Sequence, residues 1–251
     1  ASNFDMLSRD ARHLTLKQVG SDGQQRIASG TVLLIGAGGI GCAAAVYLAS
    51  SGVGHVKIND FDTIDETNLG RQVLYTPADL GQYKAEVAAT RLRALNPDIQ
   101  VTAITKRLQD DTLASEVEAS DIILDGCDNF TTRFQINEAC VLARRRLISG
   151  SAIRFEGQLA VFGPAFEAAP CYRCLYAEAD ESMDSCAGNG VLSPVPGVIG
   201  TMMAVEALKY FAGIESNTLK LHLYDATTSE FRTLKIKKRE DCPTCGTINT
   251  A

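Results

Sequence analysis

The segment Gly36-Ala-Gly-Gly-Ile-Gly41 limits the possible folds of this chain more than any other stretch. It follows an unbroken apolar run, Thr31-Val-Leu-Leu-Ile35, and precedes a run of small residues, Cys42-Ala-Ala-Ala-Val-Tyr-Leu-Ala-Ser50. An apolar run of that length bounded by glycine reads as a strand covered on both faces, as in parallel sheets. The small-residue run reads as a helix. Between a strand and a helix, the G-x-G-x-x-G spacing allows a tight turn and a close approach of backbone to phosphate. The free N–H groups and positive end of the following helix then face the anion. Asp60 lies nineteen positions beyond Gly41, at the end of the apolar stretch His55-Val-Lys-Ile-Asn59, where a carboxylate can reach ribose hydroxyls. A glycine turn without a ligand is the bland alternative, and the placement of Asp60 weighs against it. The loop itself admits either NAD or ATP.

The rhythm continues to about residue 150. A helix over 82–95 is stopped by Asn96-Pro97. Strands are expected at Ile99–Ile104, Asp121–Asp125 and Leu147–Gly150, with helices between the first two and over 130–145. This alternation predicts an α/β, Rossmann-like, doubly wound and mainly parallel sheet. Beyond it, Gln158–Phe162, Lys220–Tyr224 and Phe231–Ile236 read as short antiparallel strands around one helix near 197–212. The expected organisation is a single domain over 1–251: a helical arm (1–30), a nucleotide-binding half (31–150), and an antiparallel extension (151–251).

The segment Asp60-Phe-Asp-Thr-Ile-Asp-Glu-Thr-Asn-Leu-Gly-Arg-Gln72, followed by Gly81-Gln-Tyr-Lys84, separates the two nucleotides. A dehydrogenase has little use for Asn68, Arg71 and Lys84 behind its ribose carboxylate. Attack at an α-phosphate expels pyrophosphate, and the growing charge needs fixed cations. Arg71 can grip phosphate with two donors, and Lys84 supplies a point charge at a helix start. Solvated surface charge is the alternative for each residue alone. A second polar cluster, Asp125-Gly-Cys-Asp128-Asn129, follows the next strand at the rim where open α/β sheets bind ligands. Asp128 is suited to Mg²⁺; the alternative, which does not exclude it, is that Asp128 or Asn129 caps the helix that follows.

Eight cysteines are present. Cys171-Tyr-Arg-Cys174 and Cys242-Pro-Thr-Cys245 have the spacing of two zinc knuckles and together give a closed, structural four-thiolate site. Two separate redox pairs are the alternative. Cys186 stands in the polar segment Ser182–Gly190, expected to be a mobile loop, as either a nucleophile or an incidental thiol. Cys42 and Cys140 are expected in the core, and Cys127 is given no role. The net charge of −6 argues against a nucleic-acid partner. No run approaches the roughly 18 apolar residues of a membrane span, and the first residues lack the regions of a signal peptide. A cytoplasmic location is expected.

Taken together these motifs, with Ser151-Ala-Ile-Arg-Phe-Glu-Gly157, resemble the bacterial MoeB/ThiF family within the ubiquitin-activating-enzyme superfamily, from about residue 9 to Gly246. The resemblance implies an adenylyltransferase. Such an enzyme uses ATP and Mg²⁺ to form an acyl-adenylate on the terminal glycine of a ubiquitin-like sulfur-carrier protein of the MoaD or ThiS kind, in molybdopterin or thiamin biosynthesis. By the same resemblance, Gly36, Gly38, Gly39, Gly41, Asp60, Asp62, Asn68, Arg71, Gln72, Lys84, Asp128 and Asn129 form the nucleotide site, with Asp128 on Mg²⁺. Arg12 matches an arginine that crosses to the partner's site in the family's homodimers. Cys186 matches a loop cysteine that links covalently to the carrier in some members. The sulfur donor is expected to be a separate protein. The chain departs from the family at Asp10-Ala-Arg12-His13, where Tyr-x-Arg-Gln is usual, and at Tyr83 and Cys127, where proline and threonine are common. Adenylylation of another acyl group or a tRNA base, an inactive module that binds a ubiquitin-like protein, and an NAD-dependent dehydrogenase are the competing readings.

Overall fold

A computed structural model describes residues 8–176 and 189–246. Eight strands form one sheet in the order β3-β2-β1-β4-β5-β6-β7-β8. The first five are β1 Thr31–Ile35, β2 His55–Asn59, β3 Gln100–Ile104, β4 Ile122–Asp125 and β5 Arg146–Ile153; each neighbouring pair among them is parallel. Three antiparallel strands follow, β6 Glu156–Phe162, β7 Lys220–Asp225 and β8 Glu230–Lys235. The expected mixed α/β sheet is therefore present, and the extension continues the same sheet. The outermost strand, β8, is exposed at every position, and its charged Glu230, Arg232 and Lys235 discourage pairing with another edge.

Helices cover both faces: α1 Ala11–Leu14, α2 Gly20–Ser29, α3 Gly39–Ser50, α4 Lys84–Leu95, α5 Asp110–Glu118, α6 Phe130–Ala143, α7 Tyr172–Leu175 and α8 Pro194–Ala212. Val32 and Leu34 of β1 point into a core shared with α3, α4 and α8, whereas Leu33 and Ile35 join α5 and α6 on the other face. β1 is thus apolar throughout because neither face meets water. Small residues let α8 lie close against α3. A Cβ added at Gly200 would stand 2.1 Å from the Ile40 carbonyl oxygen.

One expected boundary is corrected. Leu147–Gly150 is only part of β5, whose parallel partner β4 ends at Asp125, opposite Ser149. The strand continues through Ser151, Ala152 and Ile153 because β6 pairs with it on the other edge, with Ser151 opposite Gln158. Among the described residues, no helix is long and apolar enough to cross a membrane.

Candidate active site

The loop after β1 closes on glycine for steric reasons. Gly36 has φ +93°, a conformation that L side chains rarely adopt, and a Cβ at Gly41 would lie 1.8 Å from the Gly36 carbonyl oxygen. Gly38 precedes the first turn of α3, so that turn's N–H groups face outward past it. Ala37 is held at both of its backbone groups. Its N–H donates to Asp60 Oδ2 at 2.8 Å, and its carbonyl accepts from the Tyr75 hydroxyl at 2.7 Å. The other Asp60 oxygen accepts from the N–H of Asp62 at 2.9 Å. Burial raises the Asp60 carboxyl above its ordinary value, against the pull of these N–H donors and Lys84.

The loop after β4 repeats this construction. Cys127 N–H donates to Asp125 Oδ1 at 3.0 Å, and the Cys127 carbonyl accepts from Arg133 Nη2. Arg133 also donates from both terminal nitrogens to the Gly150 carbonyl at 3.1 Å, and lies 3.6 Å from Asp125 Oδ2. Both side chains of this pair are buried, at 3% and 1% exposure. A buried arginine with this many acceptors ties the β4 loop to the end of β5. Burial and the Asp125 charge push the Cys127 thiol well above its ordinary value, so it remains protonated.

These loops border a cavity of about 470 Å³ at the carboxyl end of the parallel strands. Gly36, Gly38, Gly39, Asp60, Asp62, Asn68, Arg71, Gln72, Lys84, Asp128 and Asn129 all line it. Gly41 lies beneath Gly36 and supports the loop without lining the cavity. Lys84 is buried, and its Nζ is 3.6 Å from Asp62 Oδ2. Arg71 is held by a bond from Nη1 to the Thr67 carbonyl at 2.9 Å. Asn68 Oδ1 accepts from Asp65 N–H, which closes the turn Glu66–Asn68. Of the two capping candidates, Asn129 caps α6, accepting from Thr132 N–H at 2.9 Å. The Asp128 carboxylate has one contact, 3.4 Å from Asn129 Nδ2, and no cation beside it among the described residues. An exposed carboxylate without a cationic partner has the donor atoms that Mg²⁺ prefers.

Arg12 does not line the cavity of its own chain. Its neighbour His13 bonds Gln24, whose amide donates to Ser51 just past the end of α3. A helix of 12 residues is about 18 Å long, so Arg12 stands near the opposite rim. Cys186 lies outside the described residues. Sequence reasoning missed Tyr75 and Arg133, and named Asp125 in its cluster without a role, because their partners come from distant strands and loops. It also missed the cavity's apolar lining residues Leu108 and Leu113, and the stacking of Arg107 over the Phe61 ring, 4.1 Å from its centroid, at the cavity's edge.

Cys171, Cys174, Cys242 and Cys245 are buried with their sulfurs all within 4.8 Å of one another. A tetrahedral site with Zn–S near 2.3 Å places sulfurs about 3.8 Å apart; here Cys171–Cys242 is 3.7 Å and Cys174–Cys245 is 3.4 Å. Donors surround the cluster. Lys238 Nζ lies 3.2 Å from Cys245, the Arg239 N–H 3.4 Å from Cys174, and Asn137 Nδ2 3.5 Å from Cys171. Outer donors of this kind offset the negative charge that four thiolates bring to a divalent ion.

The model for the ThiF family matches residues 11–244. The chain is 43% identical over 241 residues to the sulfur carrier protein ThiS adenylyltransferase of Escherichia coli, covering 96% of each protein. It is 42% identical over 246 residues to the molybdopterin-synthase adenylyltransferase of the same organism, covering 98% of each. Its fold is similar to that of Escherichia coli MccB solved with ATP, with a TM-score of 0.82 at 24% identity over 97% of this chain and 75% of that one.

Proposed function

Given that this chain belongs to the ThiF family, we infer that it is an ATP-dependent adenylyltransferase acting on the C-terminal glycine carboxylate of a ubiquitin-like sulfur carrier. The observation that carries the assignment of the site is that Arg71, Lys84 and Asp128 line the same cavity as the glycine loop. The base lies against Leu108 and Leu113, the ribose by Asp60, and the triphosphate across the amino end of α3. A carrier carboxylate oxygen attacks the α-phosphorus. A new acyl–O–P bond forms while the bond from the α-phosphorus to the bridging oxygen breaks, and pyrophosphate leaves with that electron pair. Arg71 and Lys84 neutralise charge that grows on the leaving oxygens, and fixed cations in a secluded cavity need no rearrangement to do so. Asp128 and phosphate oxygens would hold Mg²⁺, which lends further charge stabilisation when bound.

The four cysteines would hold a structural Zn²⁺. Arg12, on the opposite rim, is suited to serve a second copy's site in a homodimer, and a separate protein supplies the sulfur. The same active chain serves thiamin or molybdopterin formation according to which carrier it accepts.

The test is a mass gain of one AMP on a carrier ending in Gly-Gly, together with carrier-dependent exchange of labelled pyrophosphate into ATP. ThiS-like and MoaD-like carriers are to be run side by side, with tRNA as a third acceptor. Asp128→Ala is expected to reduce exchange at least 100-fold. Exchange at the wild-type rate in that variant would overturn the site; nicotinamide binding without ATP binding would overturn the activity.

A further inference from the structure

The cavity extends past what the nucleotide residues occupy. Across the sheet, Leu108 and Asp60 lie toward β3 and β2, the glycine loop follows β1, and Asp128 follows β4. Next in that order come Ser151 of β5 and Gln158 of β6, which line the same cavity and face each other across an antiparallel ladder. Gln158 stands between Glu156, at the exposed start of its strand, and the buried apolar Ala160 and Phe162 on the same face. Its carbonyl Oε1 accepts a 2.5 Å bond from the Tyr176 hydroxyl. That bond turns the amide's NH₂ group away from Tyr176. The Nε2 donors and the Ser151 hydroxyl have no hydrogen-bond partner among the described residues, and neither is among the fully enclosed polar atoms. Directly opposed residues on an antiparallel pair hold their Cβ atoms about 4.5–5.5 Å apart. Both groups can therefore reach one peptide unit.

We propose that Ser151 and Gln158 form a subsite that grips the main chain of the acyl substrate just before its reacting carboxylate, with Tyr176 as the positioning residue that orients the amide. The proposal rests on the adenylyltransferase reading. Gln158 Nε2 donates to a peptide carbonyl, and the Ser151 hydroxyl bonds the adjoining peptide group. A tail ending in glycines offers nothing but main-chain donors and acceptors, so a carboxamide and a hydroxyl are the fitting readers. An acyl substrate positioned in this way meets the α-phosphate from the side of β5.

The experiment is steady-state adenylylation of a Gly-Gly carrier by wild type, Gln158→Glu, Tyr176→Phe and Ser151→Ala. Glutamate keeps the shape and the acceptor for Tyr176 but loses the NH₂ donor, so a merely structural role would survive it. Gln158→Glu is expected to raise the carrier KM at least tenfold, with the ATP KM within twofold of wild type. Tyr176→Phe and Ser151→Ala are expected to raise the carrier KM about threefold. A carrier KM within twofold of wild type for Gln158→Glu overturns the subsite. Should that variant fail to fold, an unchanged carrier KM in Ser151→Ala overturns it instead. Failure of the adenylyltransferase reading would be visible separately, as absence of AMP transfer by the wild-type chain.

Discussion

Two residues without functional side chains, Ala37 and Cys127, are each fastened at N–H and C=O by a carboxylate on one side and a tyrosine or arginine on the other. The two loops that border the cavity are therefore fixed by groups beneath them, leaving Arg71, Lys84 and Asp128 to line it. Removing one partner of the buried Asp125–Arg133 pair exposes the cost of the other. Arg133→Ala is expected to destabilise the fold by about 3–5 kcal/mol, measured by urea denaturation, and to weaken activation by Mg²⁺ through the loosened Asp128 loop. A second prediction concerns protons. Burial, and then Lys57, hold His55 below its ordinary value of 6.5, and burial does the same for His222. The unfolded chain takes up protons that the folded chain refuses, so stability is expected to fall as pH drops below about 6.5. The urea midpoint measured from pH 7 to pH 5 should show the decline, and His55→Gln should flatten it. The polar residues that line the cavity were legible in the sequence because polar groups beside a glycine loop have no packing role. Tyr75 and Arg133 were not, and Asp125 was named without its bracing role, since tyrosine, aspartate and arginine acquire those roles only from contacts made on folding.

At the scale of elements, β1, β2 and α4 were readable to within a residue or two from apolar period and stop signals. β5 was not, because its last three residues are strand only through pairing with β6, and no local pattern reports a partner's presence. The close approach of α3 and α8 was hidden for the same reason. Gly200 reads as a weak point in a helix, yet it is where the Ile40 carbonyl fits. Gly200→Ala is expected to destabilise by about 1–3 kcal/mol as the helices are pushed apart, readable as a lower denaturation midpoint. Because α3 also carries the glycine loop, the same variant should raise the KM for ATP.

Over the whole molecule, the cysteine cluster joins the segment after β6 to the segment after β8. The two C-x-x-C motifs announced this closure despite their separation. If Zn²⁺ fills the cluster, its removal by a chelator should cost about 3 kcal/mol and lower Tm by about 6–12 °C, as followed by calorimetry; Cys242→Ser should do the same without chelator. The changeover at β5 has a wider consequence. That one strand joins the parallel ladder holding the nucleotide loops to the antiparallel ladder bearing Ser151 and Gln158. On the proposed subsite, the spacing between nucleotide and acyl substrate is set by ladder register, in steps of about 3.4 Å per residue. A relative of this chain that activates a longer or bulkier terminus would have to change the hairpin between β5 and β6, since lengthening a surface loop elsewhere would leave that spacing as it is.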